Sequence, residues 1–293
     1  MTTDRQCPPL VPRQPLLVLA SDRYYKLGFG KFGISHFYTF RVKPDRFLEA
    51  QVVPDGTVDI IFHCGRGTAD AFCYGTRLCA RTLQQAQVAS SGDTVFGVRF
   101  LQGQAYLPGK IPASELTERA VSLPELMGDT ALAEQICASA DFMEQVRLFL
   151  RGYVRQYYGQ EKDRAPTRLA QYMMRRIVAS RGTLHVEALC EEMAFSQRYL
   201  NQTFRDFYGQ SPKSFSKMVR FQHILSQLPQ RSSLTAVAME AGYYDQAHLI
   251  HEFKQMMGRT PKQYLRALQE ADCARRLVVL PGGMQKLPQR LLL

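Results

Sequence analysis

The chain has 293 residues, 45% of them hydrophobic, which is enough to build the cores of two domains of ordinary size. No stretch approaches the roughly 20 consecutive apolar residues that a membrane helix needs, and no secretory signal with a cleavage site is found, so we expect a cytoplasmic protein without a membrane partner. The seven cysteines are odd in number and lack the spacing of a disulfide framework, so we expect them to be mostly reduced.

Charge is distributed unevenly along the chain. Lys and Arg total 37 against 26 Asp and Glu, a formal net charge of +11. Residues 1–163 contain 18 basic and 17 acidic side chains, or +1, whereas residues 164–293 contain 19 and 9, or +10. The C-terminal part alone therefore has the charge expected of a domain that binds a polyanion.

Short stretches of alternating apolar and polar residues, separated by Gly and Pro, are typical of β-strands between residues 20 and 110. Pro54, Asp55 and Gly56 predict a turn, and a helix is expected to begin within residues 112–117. We therefore predict a β-rich domain over residues 1–128, either a sheet or a barrel with helices. The predicted strands include residues 35–40, 58–63 and 95–100.

Four titratable side chains are expected to meet on this predicted sheet: Asp55, Asp59, His63 and Arg99. An enzyme would be the competing class of protein, but no nucleophile elbow, phosphate loop or zinc-hydrolase helix accompanies these residues. An ion pair between Asp59 and Arg99 would be structural. The sequence therefore predicts no enzyme.

Three cysteines, Cys64, Cys73 and Cys79, fall in the same β-rich region beside His63. A metal or redox site would require their thiolates to converge, and no CxxC-type spacing brings them together. We therefore expect buried small apolar side chains here, with no metal site and no cofactor.

Residues 129–160 have the apolar periodicity of helices and are predicted to form a helical connector. The polar segment 159–164 that follows is the clearest domain boundary in the chain. Packing under the β-rich domain is the favoured arrangement, and a seam with a second copy of the chain is the alternative. The apolar positions are Leu132, Ile136, Phe142, Val146, Phe149, Leu150 and Val154.

Residues 161–270 are predicted to form an all-α domain, because one pattern occurs twice between residues 184 and 264. Each copy has a short apolar helix, a turn and a longer helix, which is typical of a helix-turn-helix unit. Leu200 with Phe204, and Leu249 with Phe253, give the longer helices their buried faces. A long helix over residues 212–228 is expected to join the two units.

Start and stop signals agree in the two copies. Ser196 and Asp245 are placed to cap the longer helices, and Gly209 and Gly258 to end them. The next helix then begins at a proline. The matching closing residues are Gly209, Ser211, Pro212, Lys213 and Phe215 in the first copy, and Gly258, Thr260, Pro261, Lys262 and Tyr264 in the second.

These residues, above all the stretch 241–254 (AGYYDQAHLIHEFK) followed by GRTP at 258–261, resemble the AraC/XylS-type transcriptional regulators over roughly residues 166–270. The resemblance implies a two-headed DNA-binding domain whose recognition helices enter successive major grooves about 34 Å apart. The β-rich stretches resemble an uncharacterised domain often found ahead of such DNA-binding domains. That resemblance implies a regulatory or dimerising role and names no ligand.

The candidate base contacts are the residues of the two longer helices that do not belong to the buried faces. Arg198 suits guanine, whereas Asn201 and Gln202 suit adenine, and the resemblance places base contacts at the same three positions. Ala247 and Ile250 can offer only apolar contacts, so the second unit is expected to discriminate less. The full predicted set is Gln197, Arg198, Asn201, Gln202, Gln246, Ala247, Ile250 and His251.

A second group of basic side chains is predicted to contact phosphates, which fixes register without reading sequence. Each of them could equally be an exposed side chain without a specific partner. The group comprises Arg205, Lys213, Lys217, Arg220, Lys254 and Lys262.

The sequence predicts a DNA-binding regulator whose N-terminal domain senses a small molecule or mediates dimerisation. Double-stranded DNA is the predicted partner, and RNA polymerase, a small-molecule effector and a second copy of the chain are further candidates. An architectural DNA-binding protein that answers no signal is the alternative, and an enzyme or a metal or redox sensor fused to a DNA-binding domain is a less favoured one. The segment 271–293, with an apolar run at 277–280, is expected to be disordered.

Overall fold

The computed structural model describes residues 12–14, 18, 21–43, 51–65, 67–82, 92–105, 113–127, 131–156, 165–230, 233–270 and 273–281. These residues form a β-rich N-terminal domain and a helical C-terminal domain, which is the predicted α+β, two-domain architecture. Among them, no helix is long and apolar enough to span a membrane.

The N-terminal domain is built on one seven-stranded sheet and a separate two-stranded ribbon. The strands are β1 (Tyr24–Lys31), β2 (Ile34–Arg41), β3 (Gln51–Val52), β4 (Asp59–Cys64), β5 (Ala69–Tyr74), β6 (Arg81–Thr82), β7 (Thr94–Phe100), β8 (Ala120–Ser122) and β9 (Leu277–Leu280). The large sheet has the order β8-β5-β4-β7-β2-β1-β9, and β3 pairs with β6. The three predicted strands correspond to β2, β4 and β7.

Alternation along the central strands gives the sheet two different faces. Phe62 and Val98 face the helices that follow the sheet in sequence, whereas Ile61 and Arg99 face the opposite side. Those helices are α1 (Ala113–Leu116), α2 (Leu123–Met127), α3 (Ala131–Ala138) and α4 (Phe142–Gln156).

The predicted helical connector forms part of the N-terminal core. Ile136 of α3 and Val146 and Phe149 of α4 are buried against the sheet, and the Phe149 ring meets Phe37 and Phe62 edge-on. The apolar periodicity of residues 131–156, the described part of this segment, is therefore used for packing under the sheet.

The expectation of reduced cysteines does not hold for Cys64. Cys64 of β4 forms a disulfide with Cys137 of α3, because both side chains lie on the helix-covered side of the sheet. Cys73 and Cys79 are free, so the three cysteines 64, 73 and 79 do not form one cluster.

The C-terminal domain contains two helix-turn-helix units on one long helix. The helices are α5 (Ala165–Ala179), α6 (Val186–Met193), α7 (Gln197–Tyr208), α8 (Pro212–Gln227), α9 (Leu234–Glu240), α10 (Gln246–Met257) and α11 (Pro261–Glu270). The units are α6–α7 and α9–α10, and α8 joins them. Phe215, Phe221 and Ile224 of α8 are buried in the core that the two units share.

The predicted helix caps are confirmed. Ser196 accepts a hydrogen bond from the Tyr199 amide, and Asp245 accepts one from the His248 amide. Gly209 and Gly258 take left-handed conformations, with φ of 69° and 74°, where an L-side chain would be strained.

The tail was expected to be disordered, and for residues 273–281 this expectation is wrong. Helix α12 (Cys273–Arg276) leads into β9, which pairs in parallel with β1 at the edge of the N-terminal sheet. Leu280 packs against the core of that domain. The last described segment therefore packs on the N-terminal domain.

The two domains also meet directly. The Ala80 amide donates to Met256 O (2.7 Å), Thr117 Oγ1 donates to Gly209 O (2.9 Å), and Gln222 Nε2 donates to Pro54 O (2.6 Å). These contacts place the N-terminal domain against α8 and against the C-terminal ends of α7 and α10.

Candidate nucleic-acid interface and N-terminal pocket

Helix α7 presents an exposed polar face. Gln197, Arg198, Gln202 and Arg205 are exposed and Asn201 is half-buried. Leu200 and Phe204 are buried on the opposite side, as predicted. This face can therefore offer amide and guanidinium groups to base edges.

One member of this face has a partner within the helix. Gln202 Nε2 donates to Asp206 Oδ1 at 2.8 Å. The pair holds the amide group along the outer side of α7, with its oxygen still available as an acceptor.

Helix α10 presents a less polar face. Gln246, Ala247 and His251 are exposed, whereas Ile250 is half-buried and packs against the domain core. Gln246 Oε1 accepts from Thr235 Oγ1 at 2.8 Å, and a His251 ring nitrogen lies 2.8 Å from Gln255 Nε2. The exposed face of α10 therefore has fewer free polar groups than that of α7, and weaker discrimination by the second unit stays a prediction.

The predicted phosphate contacts fall into two groups. Lys213, Lys254 and Lys262, with Arg205, are exposed around the two recognition helices. Lys217 and Arg220 instead lie beside Glu252, with ion-pair distances of 3.5 and 3.9 Å.

Glu252 is a structural residue that the sequence did not reveal. It is buried on α10, where Tyr243 donates to its Oε1 at 2.6 Å, and the Arg220 guanidinium lies 4.9 Å from the Tyr243 ring centroid. Burial and the neighbouring carboxylate raise the pKa of Tyr243. The cluster joins the second unit to α8, because its members come from both helices and the turn.

Exposed aromatic side chains precede the caps of both recognition helices. Phe195 is 45% exposed and packs on Tyr199 with ring centroids 5.1 Å apart, and Tyr244 is 93% exposed. The two positions correspond in the repeat, since each residue comes immediately before its N-cap. This correspondence between the two copies was the signal by which the sequence could have revealed both aromatic residues.

The N-terminal sheet carries a pocket on the face away from α3 and α4. Its polar end is formed by Asp55, Thr57, Asp59 and Arg99, so three of the four titratable residues that were predicted to meet on the sheet lie together. His63 also lines the pocket. The walls are largely apolar and aromatic, from Tyr38, Phe40, Val52, Ile61, Tyr74 and Val95.

Arg99 is the centre of this polar end. Its Nε donates to Asp59 Oδ1 at 2.7 Å, its Nη2 also pairs with Asp59, and its Nη1 lies 3.2 Å from Asp55 Oδ2. Tyr38 OH donates to Asp59 Oδ2 at 3.2 Å. Burial raises the pKa of Asp59, although the guanidinium opposes that shift, and the two carboxylates keep the pKa of Arg99 well above its ordinary value.

Metal or thiol chemistry receives no support from the described residues. No group of three His, Cys, Asp or Glu side chains is placed there to hold a metal ion. Burial raises the pKa of the Cys73 thiol to about 12, which disfavours the reactive thiolate.

Comparison with known proteins gives two family matches. Residues 189–267 match a helix-turn-helix domain, and residues 32–122 match a domain of unknown function, DUF6597. An uncharacterized HTH-type transcriptional regulator from Haemophilus influenzae is 33% identical over 85 residues. That match covers 29% of this chain and 28% of the relative, so less than a third of the relative's length is matched.

Solved structures give partial matches. The C-terminal domain of AraT, a response regulator from Geobacillus stearothermophilus, is 24% identical, with a TM-score of 0.31, over 35% of this chain and 84% of its own. A probable AraC family transcriptional regulator from Rhodopseudomonas palustris is 25% identical, with a TM-score of 0.31, over 34% of this chain and 97% of its own. ToxT from Vibrio cholerae is 11% identical, with a TM-score of 0.38, over 83% of this chain and 97% of its own.

Two helix-turn-helix units on one connecting helix define a bipartite DNA-binding domain. The chain combines such a domain, which matches a helix-turn-helix family and resembles that of AraC/XylS-type regulators, with an N-terminal domain that matches a family of unknown function.

Proposed function

We propose that the protein is a sequence-specific, DNA-binding transcriptional regulator whose N-terminal pocket receives a small-molecule signal. The observation that carries the proposal is the pair of exposed faces, on α7 and α10, of two helix-turn-helix units that the largely buried helix α8 joins. Helix α8 has 16 residues and is therefore about 24 Å long at about 1.5 Å per residue. That length suits recognition helices in neighbouring major grooves.

Charge supports the same proposal. The excess of positive charge lies after residue 163, and exposed lysines flank both recognition helices. Phosphate contacts from such lysines supply affinity for any duplex, while the polar face of α7 supplies sequence preference. The family matches favour a regulator over an enzyme.

The N-terminal pocket supports the second half of the proposal, that the protein responds to a small molecule. A largely apolar cavity with a few convergent polar groups is the usual form of a small-molecule site. An architectural protein that answers no signal would have no use for such a pocket beside the connecting helix. RNA polymerase and a second copy of the chain stay candidate partners.

Selection of bound duplexes from a random DNA pool tests the proposal with the full chain. We expect enriched sites that contain two half-sites on one face of the duplex, about one helical turn apart. Gel retardation of an enriched site should then survive an excess of unrelated competitor. Equal retention of enriched and unrelated DNA would contradict sequence-specific binding.

A further inference from the structure

We infer that the N-terminal pocket takes a small uncharged organic molecule that presents a hydrogen-bond acceptor, such as a carbonyl oxygen, to Arg99 and an apolar or aromatic body to the walls. The inference rests on the proposed regulatory function and names the ligand class of that site. The charge balance of the lining, the hydrogen bonds already made there and the chemistry of the walls carry it.

The charged side chains around the pocket balance one another. Those that line it are two of each sign: Asp55, Asp59, Arg77 and Arg99. Next to this set, Lys26 lies near the Arg99 guanidinium and Glu118 lies beside Arg77, and these two charges also cancel. The ring of His63 adds no charge at neutral pH, because burial lowers its pKa. A charged ligand would therefore lack a counter-charge among the described residues, whereas an uncharged ligand preserves the balance.

The oxygens of the two lining carboxylates already have donors. Asp59 Oδ1 accepts from Arg99 Nε at 2.7 Å, and Asp59 Oδ2 accepts from Arg99 Nη2. Asp55 Oδ1 accepts from the amide and the hydroxyl group of Thr57, and Asp55 Oδ2 accepts from Gln14 Nε2 at 2.8 Å. A ligand that donates a hydrogen bond to either carboxylate would therefore compete with donors of the protein itself.

One buried donor of the same cluster is left over. Arg99 is 1% exposed, and its Nη1 has no hydrogen-bond partner among the described residues, although Asp55 Oδ2 lies 3.2 Å away as an ion-pair contact. A buried donor without an acceptor is costly, so an acceptor atom from a ligand is favoured at this point. An anionic acceptor would place a further negative charge beside Asp55, whereas a carbonyl oxygen would not.

Arg77 does not offer an equivalent donor. Its Nη1 donates to Glu118 O at 3.3 Å, and its guanidinium lies 6.0 Å from the centroid of the Tyr74 ring. The Glu118 carboxylate is also within ion-pair distance of Arg77, at 3.7 Å. The acceptor of the ligand is therefore assigned to Arg99.

The walls select the body of the ligand. Tyr38 and Phe40 of β2, Ile61 of β4 and Val95 of β7 line the cavity with apolar and aromatic surface. Gly97 makes room for Tyr38, because a Cβ at position 97 would lie 2.0 Å from the Cζ atom of the Tyr38 ring. A flat apolar or aromatic group fits walls of this kind.

Four probes of nearly the same shape test the ligand class on the wild-type full chain: acetophenone, cumene, benzoate and 1-phenylethylamine. They place a carbonyl group, a hydrocarbon group, a carboxylate and an ammonium group on the same ring. By titration calorimetry at neutral pH, we expect acetophenone to bind at least about tenfold more tightly than each of the others, as one hydrogen bond to a charged group allows. Equal or tighter binding of any other probe, or no binding of acetophenone, overturns the inference.

The carbonyl carbon of acetophenone reports the hydrogen bond directly. With the probe isotopically labelled at this carbon, we expect the nuclear magnetic resonance of the bound form downfield of its position in an apolar solvent, because a donor draws electron density from the carbonyl group. A resonance at the apolar-solvent position would show that no donor meets the oxygen, and would refute the role of Arg99.

One substitution locates the site. Ile61→Phe should weaken acetophenone binding at least about tenfold, because the added ring occupies space that the ligand needs. Val279→Phe is the matched control, since Val279 is exposed on β9 outside the pocket and gains the same ring. Unchanged binding in a folded Ile61 variant would place the ligand elsewhere and overturn the inference. If that variant does not fold, the four-probe comparison and the carbonyl resonance on wild-type protein decide.

The DNA-selection experiment separates this inference from the proposed function. Selective DNA binding without a preference for acetophenone would overturn the ligand class alone. DNA binding without sequence preference would instead overturn the proposed function, whatever the pocket binds.

Discussion

Arg198 and Asn201 illustrate how burial assigns roles to single residues on α7. Arg198 is fully outward, while Asn201 is half-buried beside the inward-facing Leu200. The helical period made this separation predictable from sequence, because residues three and four apart share a face. The partners of Arg220 and Lys217 could not be predicted, because Glu252 comes from another helix and carries no local signal.

The assignment of Arg198 and Asn201 to base reading gives the first prediction. Arg198→Ala or Asn201→Ala should weaken binding to the selected site by about 1–3 kcal/mol, with much less effect on unrelated DNA, because a base contact is lost. Dissociation constants for both duplexes at one salt concentration measure this. Similar losses on the two DNAs would assign these side chains to phosphates instead.

Buried His36 gives the second prediction. Burial, with Lys26 and Arg99 nearby, holds the pKa of His36 well below its ordinary value, so the folded protein keeps this ring neutral. The unfolded chain takes up the proton below a pH of about 6.5, so acid favours unfolding. Between pH 6.5 and 5.5 this group should lower the unfolding free energy by about 1 kcal/mol, because the unfolded ring is already half protonated at pH 6.5.

Urea unfolding, followed by tyrosine fluorescence because the chain has no tryptophan, measures this loss at pH 7.5, 6.5 and 5.5. His36→Gln should flatten the pH dependence over this range. His185→Gln, at an exposed position, serves as the control. An unchanged slope in the His36 variant would mean that another group is responsible.

At the scale of elements, local signals were sufficient for the helices of the two units and for the three central strands β2, β4 and β7. Ser196, Asp245, Gly209 and Gly258 marked the ends of both recognition helices because capping depends on neighbours in sequence. Strand β9 was missed for the opposite reason, since four apolar residues acquire a strand partner only through distant β1. The bond between Cys64 and Cys137 likewise depends on how α3 packs on β4.

The third prediction concerns the helix caps. Ser196→Ala and Asp245→Ala should each reduce the unfolding free energy by about 1 kcal/mol, because an amide in the first turn loses its acceptor. Urea titrations measure the change, and Ser196→Asn, which retains a capping oxygen, should stay near wild type. Loss of equal size in the Asn variant would rule out capping as the cause.

The fourth prediction concerns β9. Truncation after residue 272 removes β9 and should speed amide exchange in the paired part of β1, Tyr24 to Leu27, because this edge loses its neighbour. Hydrogen exchange detected by mass spectrometry measures it. Truncation after residue 281 retains β9 and is the matched control. Unaltered exchange in the shorter chain would show that β9 does not protect β1.

Across the whole molecule, the near-neutral domain contacts the basic one at the connecting helix α8 and at the C-terminal ends of the recognition helices. Hydrogen bonds to Gly209 O and Met256 O reach the C-terminal ends of α7 and α10, so the N-terminal ends of both helices stay accessible. Charge counting predicted which half of the chain would meet DNA. It could not predict these contacts, because each joins residues far apart in sequence.

The fifth prediction follows from the charge of the molecule. Lys213→Ala should weaken binding to selected and unrelated DNA alike, and should reduce the slope of log affinity against log salt by about 1, because one phosphate contact is lost. Binding measured over a salt series tests this. Arg266→Ala is the control, since Arg266 is exposed and pairs with Glu270 on α11. An unchanged slope for Lys213→Ala would remove it from the interface.

The pairing of β9 with β1 has a consequence for biosynthesis. Strand β1 emerges from the ribosome early, yet its outer neighbour is translated only after both recognition helices. Until then the nascent sheet carries an open edge, the kind of surface on which unfinished chains associate. Closure of that edge therefore waits until both recognition helices have been synthesised.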